Sequence, residues 1–391
     1  LDQAPEVQGA IFSVEALTGY VLAMEGGYDF SDSEFNRASQ AQRQQGSCFK
    51  PILYSAALEK GFTPASIIVD SPIVYADETF GKWKPTNFEE KFYGDTTFRQ
   101  ALIKSRNVPT IKIAEAIQVP FTIEYARRLG MTGSLASDLS ISLGSGTSSL
   151  VELTATYSLF PRLGRRLQPI FFTSVRDRDG TLLEERLPKP FVAPTSSPVP
   201  EATPAVQGAQ ASPGTRPEVV IPVFPSPEDP EQVMDPRVAY VMTHLLKEVV
   251  NYGTGHEAKS LGRPAAGKTG TTSDYLDAWF MGFTPFVSTG VWVGYDSQKP
   301  IGPGETGAKA SLPIWLNFMK EAVKPYPDSD FAIPPGVVFA SIDPTSGKLS
   351  SANSSFSIRE AFIEGTEPIE VSQQKGSTTD SQSDFLKEDI E

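Results

Sequence analysis

The chain has 391 residues, 39% hydrophobic and 21% charged, enough for one large folded domain or two ordinary ones. A formal net charge of −13 with no run of Lys and Arg excludes a general nucleic-acid surface, because phosphate contacts need clustered cations. One cysteine excludes an internal disulfide or a cysteine metal cage, two histidines fall short of most zinc sites, and no apolar run approaches membrane-spanning length.

The chain opens Leu1-Asp-Gln-Ala-Pro5, without Met, and reads as the interior of a longer protein. Residues 9–27 predict two strands around a Leu-Thr-Gly turn. Residues 47–60 predict a helix ended by Gly61, with Phe49, Leu53, Ala56 and Ala57 on one side. Pro51 has no N–H and clashes with the carbonyl four residues back, so Ser47 belongs at the helix start, where its carbonyl need not be bonded within the helix. Residues 98–104 and 108–117 predict helices joined through Ser105-Arg-Asn107, and 149–161 predict another, stopped by Pro161.

Between Pro188 and Pro230 lie 12 of the 33 prolines, among Ala, Ser, Thr and Glu, a composition that cannot bury a core and reads as a flexible insertion. Beyond it, Ala239–Val250 predicts a helix capped by Gly253-Thr-Gly255. Strands follow at Ala265–Thr272, Asp277–Thr284 and Ser288–Tyr295, the last two alternating as half-buried antiparallel strands do. Ser311–Val323 predicts a helix and Val337–Ile342 a strand turning at Asp343-Pro-Thr-Ser-Gly347; residues 372–391 are polar and acidic, the composition of a disordered tail.

Three motifs stand in order: Ser47-Cys-Phe-Lys50, Ser105-Arg-Asn107 and Lys268-Thr-Gly270. Three residues apart on a helix, Ser47 and Lys50 share a face, so the amine is in reach of the hydroxyl proton. A lysine takes that proton only if desolvation or nearby cations lower its pKa. Backbone N–H groups and the dipole at a helix start favour negative charge at the Ser47 oxygen. Ser105 suits a proton relay and Asn107 a bond to a substrate amide. On an edge strand, Gly270 lets a substrate backbone approach, with Lys268, Thr269 and Thr271 placed for a carboxylate and a backbone N–H for an oxyanion. Cys48 has no base at a matching spacing and reads as a small buried residue. His244 and His256 lie in no motif that marks a base, so lysine is the expected partner of the serine.

Two decoys repeat these patterns. Ser351-Ala-Asn353 matches the second motif and Ser372-Gln-Gln-Lys375 the first, but only the chosen set keeps the order. Gly262-Arg-Pro-Ala-Ala-Gly-Lys268-Thr269 also matches a phosphate loop letter for letter, with Asp343 available as a downstream metal-side carboxylate. Context rejects it, since no strand pattern precedes the glycine and strands, not a helix, follow.

With these motifs on one chain, the sequence resembles the transpeptidase domains of penicillin-binding proteins, in particular the class A, 1A-type bifunctional enzymes. The likeness extends to Gly26-Gly-Tyr-Asp-Phe30, Phe35-Asn-Arg-Ala-Ser-Gln-Ala41, Gly46-Ser-Cys-Phe-Lys-Pro51, Trp83-Lys-Pro-Thr-Asn87, Gly253-Thr-Gly255, Ala266-Gly-Lys-Thr-Gly-Thr-Thr272, Asp277-Ala-Trp-Phe-Met-Gly-Phe-Thr-Pro285, Val291-Trp-Val-Gly-Tyr-Asp296 and Pro313-Ile-Trp315. The resemblance implies a mixed α/β (α+β) fold of the penicillin-binding transpeptidase and serine β-lactamase type, with a five-stranded antiparallel sheet flanked by helices and an all-helical subdomain. Residues 1–187 and 231–371 would form the transpeptidase domain, 188–230 a Pro-rich insertion and 372–391 a tail. The family's glycosyltransferase domain and membrane anchor have no counterpart in these residues. Ser47 would attack the penultimate D-Ala carbonyl of a peptidoglycan stem peptide, with Lys50 as general base, Ser105 as proton shuttle, Asn107 on the substrate amide and Lys268 as electrostatic support. Thr269, Gly270 and Thr271 would bind the donor. An acceptor amine would complete a cross-link and a β-lactam would acylate the same serine. No cofactor, metal or nucleic acid is implied; the setting would be the bacterial periplasm, at the outer face of the cytoplasmic membrane, with a membrane-anchored parent protein. Gln45 stands where the family usually has proline.

The alternatives are a D,D-carboxypeptidase or β-lactamase-type hydrolase of the same superfamily, or a non-enzymatic β-lactam sensor. Glu115, Glu124 and Glu152 lie between the second and third motifs without the Glu-x-x-x-Asn setting expected of a water-activating group, and Arg106 replaces the Asp usual in the hydrolases.

Overall fold

The computed structural model describes residues 5–77, 81–189, 191–192, 222, 224–226, 228–351, 354 and 356–372. Most of the 188–230 insertion, nearly all of the 372–391 tail, and the decoy residues Asn353 and Lys375 lie outside the described residues.

Strands β1 (Gln8–Glu15), β2 (Val21–Glu25), β3 (Ala266–Thr271), β4 (Asp277–Phe283) and β5 (Val287–Gly294) form one sheet in the order β3-β4-β5-β1-β2. Every pairing in it is antiparallel, and β3 is an edge strand. Contrary to the half-buried expectation, β4 is buried at every position and β5 at all but Val293. Helices cover both faces, so alternation there separates two cores rather than core from solvent. Toward one side, a Cβ on Gly290 would meet Thr154 and Leu150; toward the other, one on Gly282 would meet Trp315.

The helices are α1 (Lys50–Glu59), α2 (Phe98–Ile103), α3 (Asn107–Ile117), α4 (Val119–Arg128), α5 (Leu150–Tyr157), α6 (Pro236–Tyr252) and α7 (Leu312–Ala322). From Lys50 to Leu58, α1 is buried on every side, as a helix apolar around most of its circumference must be. It packs against α3, α4 and α6 and forms the centre of the helical part. Two helices are shorter than predicted. The first turn of the 47–60 segment is a 3-10 turn, Gly46–Phe49, in which the Lys50 N–H bonds the Ser47 carbonyl. Pro51 explains this: the donor an α-helix would use for that carbonyl is missing, so the residue before it substitutes. At the other helix, α5 stops at Tyr157 because Pro161, four residues on, has no N–H for that carbonyl, which the Phe160 N–H takes in a 3-10 turn instead (3.2 Å). The predicted strand Val337–Ile342 (β6) pairs antiparallel with Ile358–Ile363 (β7), a partner that periodicity did not reveal.

Candidate active site

Ser47 sits half-buried on the 3-10 turn ahead of α1. The turn is tied from several sides. Trp279 Nε1 donates to the Gln44 carbonyl (2.9 Å), Tyr157 Oη to the Cys48 carbonyl (2.7 Å), and the Cys48 thiol lies 3.6 Å from the Lys268 carbonyl. Gly46 (φ +55°) and Gly144 (φ +71°) make the turn possible, for a Cβ on Gly144 would stand 1.9 Å from the Gly46 carbonyl oxygen. Gly144→Ala is therefore expected to destabilise the protein by about 2–4 kcal/mol, through left-handed strain plus this clash. Denaturant unfolding checks it, and a loss under about 1 kcal/mol would show that the turn has slack.

The second motif closes on the first. Ser105-Arg106 is the connection between α2 and α3, with Asn107 the first residue of α3. Ser105 has φ +56°, a left-handed conformation costly for a residue with a Cβ. That conformation aims two oxygens at one amine: Lys50 Nζ donates to the Ser105 carbonyl (2.5 Å) and lies 3.2 Å from Ser105 Oγ. The Asn107 Oδ1 (2.9 Å) and the Arg106 carbonyl (3.3 Å) complete its surroundings. From β3, Lys268 Nζ donates to the same Ser105 hydroxyl at 2.9 Å. Thus Ser105 Oγ joins both lysines. Among the described residues, the half-buried Ser47 makes no hydrogen bond with its hydroxyl.

Electrostatics favour an uncharged Lys50. Complete burial, and next the Lys268 ammonium, push its pKa well below the ordinary lysine value, while Glu89 opposes them. A neutral amine still has two N–H for the Ser105 carbonyl and Asn107 Oδ1, and its lone pair then faces a hydroxyl. Lys268 is also buried, and desolvation brings it down to about 8, so it keeps its charge at neutral pH. Burial pushes the Cys48 thiol up to about 12, making it inert beside the serine.

The third motif lies on edge strand β3 rather than on a strand-to-helix loop. Thr269 shares a hydrogen bond with Thr254 (2.7 Å between hydroxyls), and Thr271 Oγ1 accepts from the Gly307 N–H (3.1 Å), leaving its own proton to donate. A Cβ on Gly46 would lie 3.4 Å from the Thr271 nitrogen, so the Ser47 turn abuts this strand end. Gly270 departs from its expected reason. The space its missing side chain leaves is filled from inside, since a Cβ there would meet Cys48 Sγ at 2.7 Å and the Gln45 carbonyl at 3.0 Å. The glycine thus serves strand-to-turn packing.

Three contributors escaped the motif reading. Asn87 Oδ1 accepts from the N–H groups of Asn107 (2.9 Å) and Val108 (3.1 Å), capping α3 where Arg106 makes no side-chain cap. The Thr86 carbonyl takes Asn107 Nδ2 (3.1 Å), and Thr254 braces Thr269. The runs holding them were legible only as likeness, because no spacing rule ties residue 87 to residue 107. Arg106 holds its guanidinium 3.7 Å from the centre of the Tyr93 ring, with Nη1 on Thr96 (2.8 Å). Glu115 is exposed and accepts from Tyr75 (2.9 Å), Glu124 is exposed, and Glu152 binds Thr132 and the Gly133 N–H.

The chain matches the penicillin binding protein transpeptidase domain family over residues 9–320, and the C-terminal domain of penicillin-binding protein 1A over residues 333–377. It is 35% identical over 390 residues to penicillin-binding protein 1A of Pseudomonas aeruginosa, covering 95% of this chain and 47% of that protein. The Aquifex aeolicus penicillin-binding protein 1A is 34% identical over 365 residues, covering 93% and 44%. The chain thus spans about half the length of the curated relatives it matches. Penicillin-binding protein 1A from Haemophilus influenzae superposes with a TM-score of 0.82 at 28% identity, over 95% of this chain and 55% of that one. PonA1 from Mycobacterium tuberculosis, in complex with penicillin V, shares the fold (TM-score 0.65, 23% identity, 85% of this chain and 82% of that one).

Proposed function

This chain belongs to the penicillin-binding protein transpeptidase family, of the 1A type, and on that premise we propose that it is a serine D,D-transpeptidase acting through an acyl-enzyme on Ser47. The observation that carries the reading is the shared hydroxyl: Ser105 Oγ bonds the depressed-pKa Lys50 on one side and Lys268 on the other, and Lys50 opens the helix that the Ser47 turn leads into.

In the proposed first half-reaction, neutral Lys50 takes the Ser47 proton while Oγ bonds the penultimate D-Ala carbonyl carbon of a stem peptide. The backbone N–H groups of Ser47 and Thr271 receive the developing oxyanion. The C–N bond then breaks, and the departing D-Ala nitrogen takes the Ser105 proton, which Lys50 replaces. Thr269, Thr271 and Lys268 hold the donor carboxylate; Asn107 orients the peptide amide. An acceptor amine next attacks the ester, its proton passing back along the same relay to Ser47. A β-lactam opens by the same route, but its leaving nitrogen stays tethered. Glu115, Glu124 and Glu152 are exposed or bonded elsewhere, which favours transfer to an amine over activation of water.

Residues 1–187 and 231–371 form the transpeptidase unit in this reading, acting in the periplasm at the outer face of the cytoplasmic membrane as part of a membrane-anchored protein. Among the described residues no helix is long and apolar enough to cross a membrane. The test is turnover of a D-Ala-D-Ala donor with and without an amine acceptor, products resolved by mass. Amide product in excess of free acid is the expected result. Free acid alone with acceptor present would establish a hydrolase, and neither product a binding module.

A further inference from the structure

Away from the three motifs, four ionisable side chains cluster where three elements meet, Glu360 and Arg99 buried and His244 and Glu248 partly so. Glu360 of β7 is fully buried, and its carboxylate lies 2.8 Å from Arg99 Nε of α2 and 3.1 Å from His244 Nε2 of α6. Arg99 turns its other face to Glu248 of α6, whose second oxygen accepts from Asn251 Nδ2 (3.0 Å). The His244 ring meets Phe339 of β6 edge-on, centroids 5.6 Å apart. Burial opposes ionisation of Glu360, but His244 and then Arg99 overcome it and hold the carboxyl below its ordinary value. A buried charge set of this kind is a costly way to gain stability, and specificity of geometry is its better-attested use.

The elements it clamps lead to the active site. Arg99 stands in the first turn of α2, and Ser105 follows its C-cap residue, Lys104. His244 and Glu248 stand on α6, whose end leads through Gly253 to Thr254. The two helix ends also touch, for the Thr254 N–H faces the Ile103 carbonyl (3.4 Å) and a Cβ on Gly253 would lie 2.4 Å from that oxygen. Ser105 and Thr254 therefore sit beyond the far ends of two helices that are joined directly by the Arg99–Glu248 pair and bridged a second time by the Glu360 carboxylate of the β6–β7 hairpin.

We propose that Glu360 is a positioning residue for acyl transfer: through Arg99 and His244 it holds α2 against α6 and so fixes Ser105 and Thr254. The hairpin within residues 333–377 becomes a working part of the catalytic unit rather than an appendage. The inference rests on the site reading above, and the experiment separates the two.

The full chain and its Glu360→Gln variant are titrated with fluorescent penicillin, yielding the fraction of molecules acylated at saturation and the acylation rate of that fraction. The expected result is a rate about tenfold lower per active molecule, the scale of effect that a small misplacement of reacting groups produces, with the acylated fraction little changed. Glu360→Asp, which keeps the charge, is expected to recover part of the rate. A merely structural role would lower the fraction and leave the rate per active molecule at the wild-type value, and that result overturns the proposal. Should Glu360→Gln fail to fold, Arg99→Lys gives the same reading, since a lysine cannot bridge both carboxylates as the guanidinium fork does. A wild-type rate in that variant also overturns it. Absence of label on wild-type protein would instead sink the site reading, leaving the cluster a structural matter.

Discussion

Ser47→Ala is expected to give a folded protein that carries no penicillin label, its acylation slowed by about four orders of magnitude or more. The substitution removes one oxygen from a half-buried position whose hydroxyl makes no hydrogen bond among the described residues, so the fold loses little. No neighbour can replace the lost nucleophile. Cys48 is fully buried with its thiol pushed up to about 12 and turned toward the Lys268 carbonyl, so thiolate is scarce and unreachable. Ser105 has its hydroxyl between two lysines on a left-handed backbone, which suits a relay and not an attack from the α1 side. The measurement is gel fluorescence together with the intact mass after penicillin treatment. A mass increase equal to one penicillin on Ser47→Ala would assign the chemistry to another residue. Retained label at the wild-type rate would remove Ser47 from the mechanism altogether.

Why this serine was legible from sequence, and other parts were not, follows from the range of the forces involved. Pro51 acts on the carbonyl four residues back, so its effect on Ser47 could be read locally. What the local reading did not supply is the donor that the carbonyl finds instead, the Lys50 N–H in a 3-10 turn ahead of the helix. The strands β4 and β5 announced themselves by alternation, but burial of both their faces depends on helices far along the chain. The left-handed turn at Ser105 has no glycine or asparagine to mark it. It persists because Lys50, Lys268 and the Asn87 cap on α3 over-determine it. Glu360 and Arg99 were invisible for the same reason, since nothing in the local pattern around either says that a charged side chain will be buried against the other. Motif order picked out the residues to which we assign the chemistry; the long-range contacts around them had to be seen.

The tuning is exposed by Lys50→Ala, expected to slow acylation by about 10³-fold, the loss typical of a positioned general base. Its effect should be chemical rather than binding: the noncovalent step changes little, because the proposed mechanism gives the donor carboxylate to β3 residues and not to Lys50. The pH profile gives a second, independent signature. Wild-type acylation should rise as Lys50 loses its proton, at a pH well below the ordinary lysine range, and fall through about 8 as Lys268 loses the charge that supports the substrate. Lys50→Ala should lose the rising limb and keep the falling one. A rising limb that survives in the variant would place the base elsewhere. The same shifts carry a stability consequence whose sign is fixed by linkage. Lys268 is lowered in the folded state from 10.5 to about 8, so the unfolded chain binds the proton more tightly. Below 8 the folded state therefore bears the full penalty, about 3 kcal/mol, and recovers it as pH rises toward 10.5. Between about 8 and 9, below the range where the raised Cys48 thiol begins to count against the folded state, stability should climb while activity falls. Opposed trends across one pH window are what a buried cation retained for catalysis must produce, and parallel trends would show that Lys268 is not that cation.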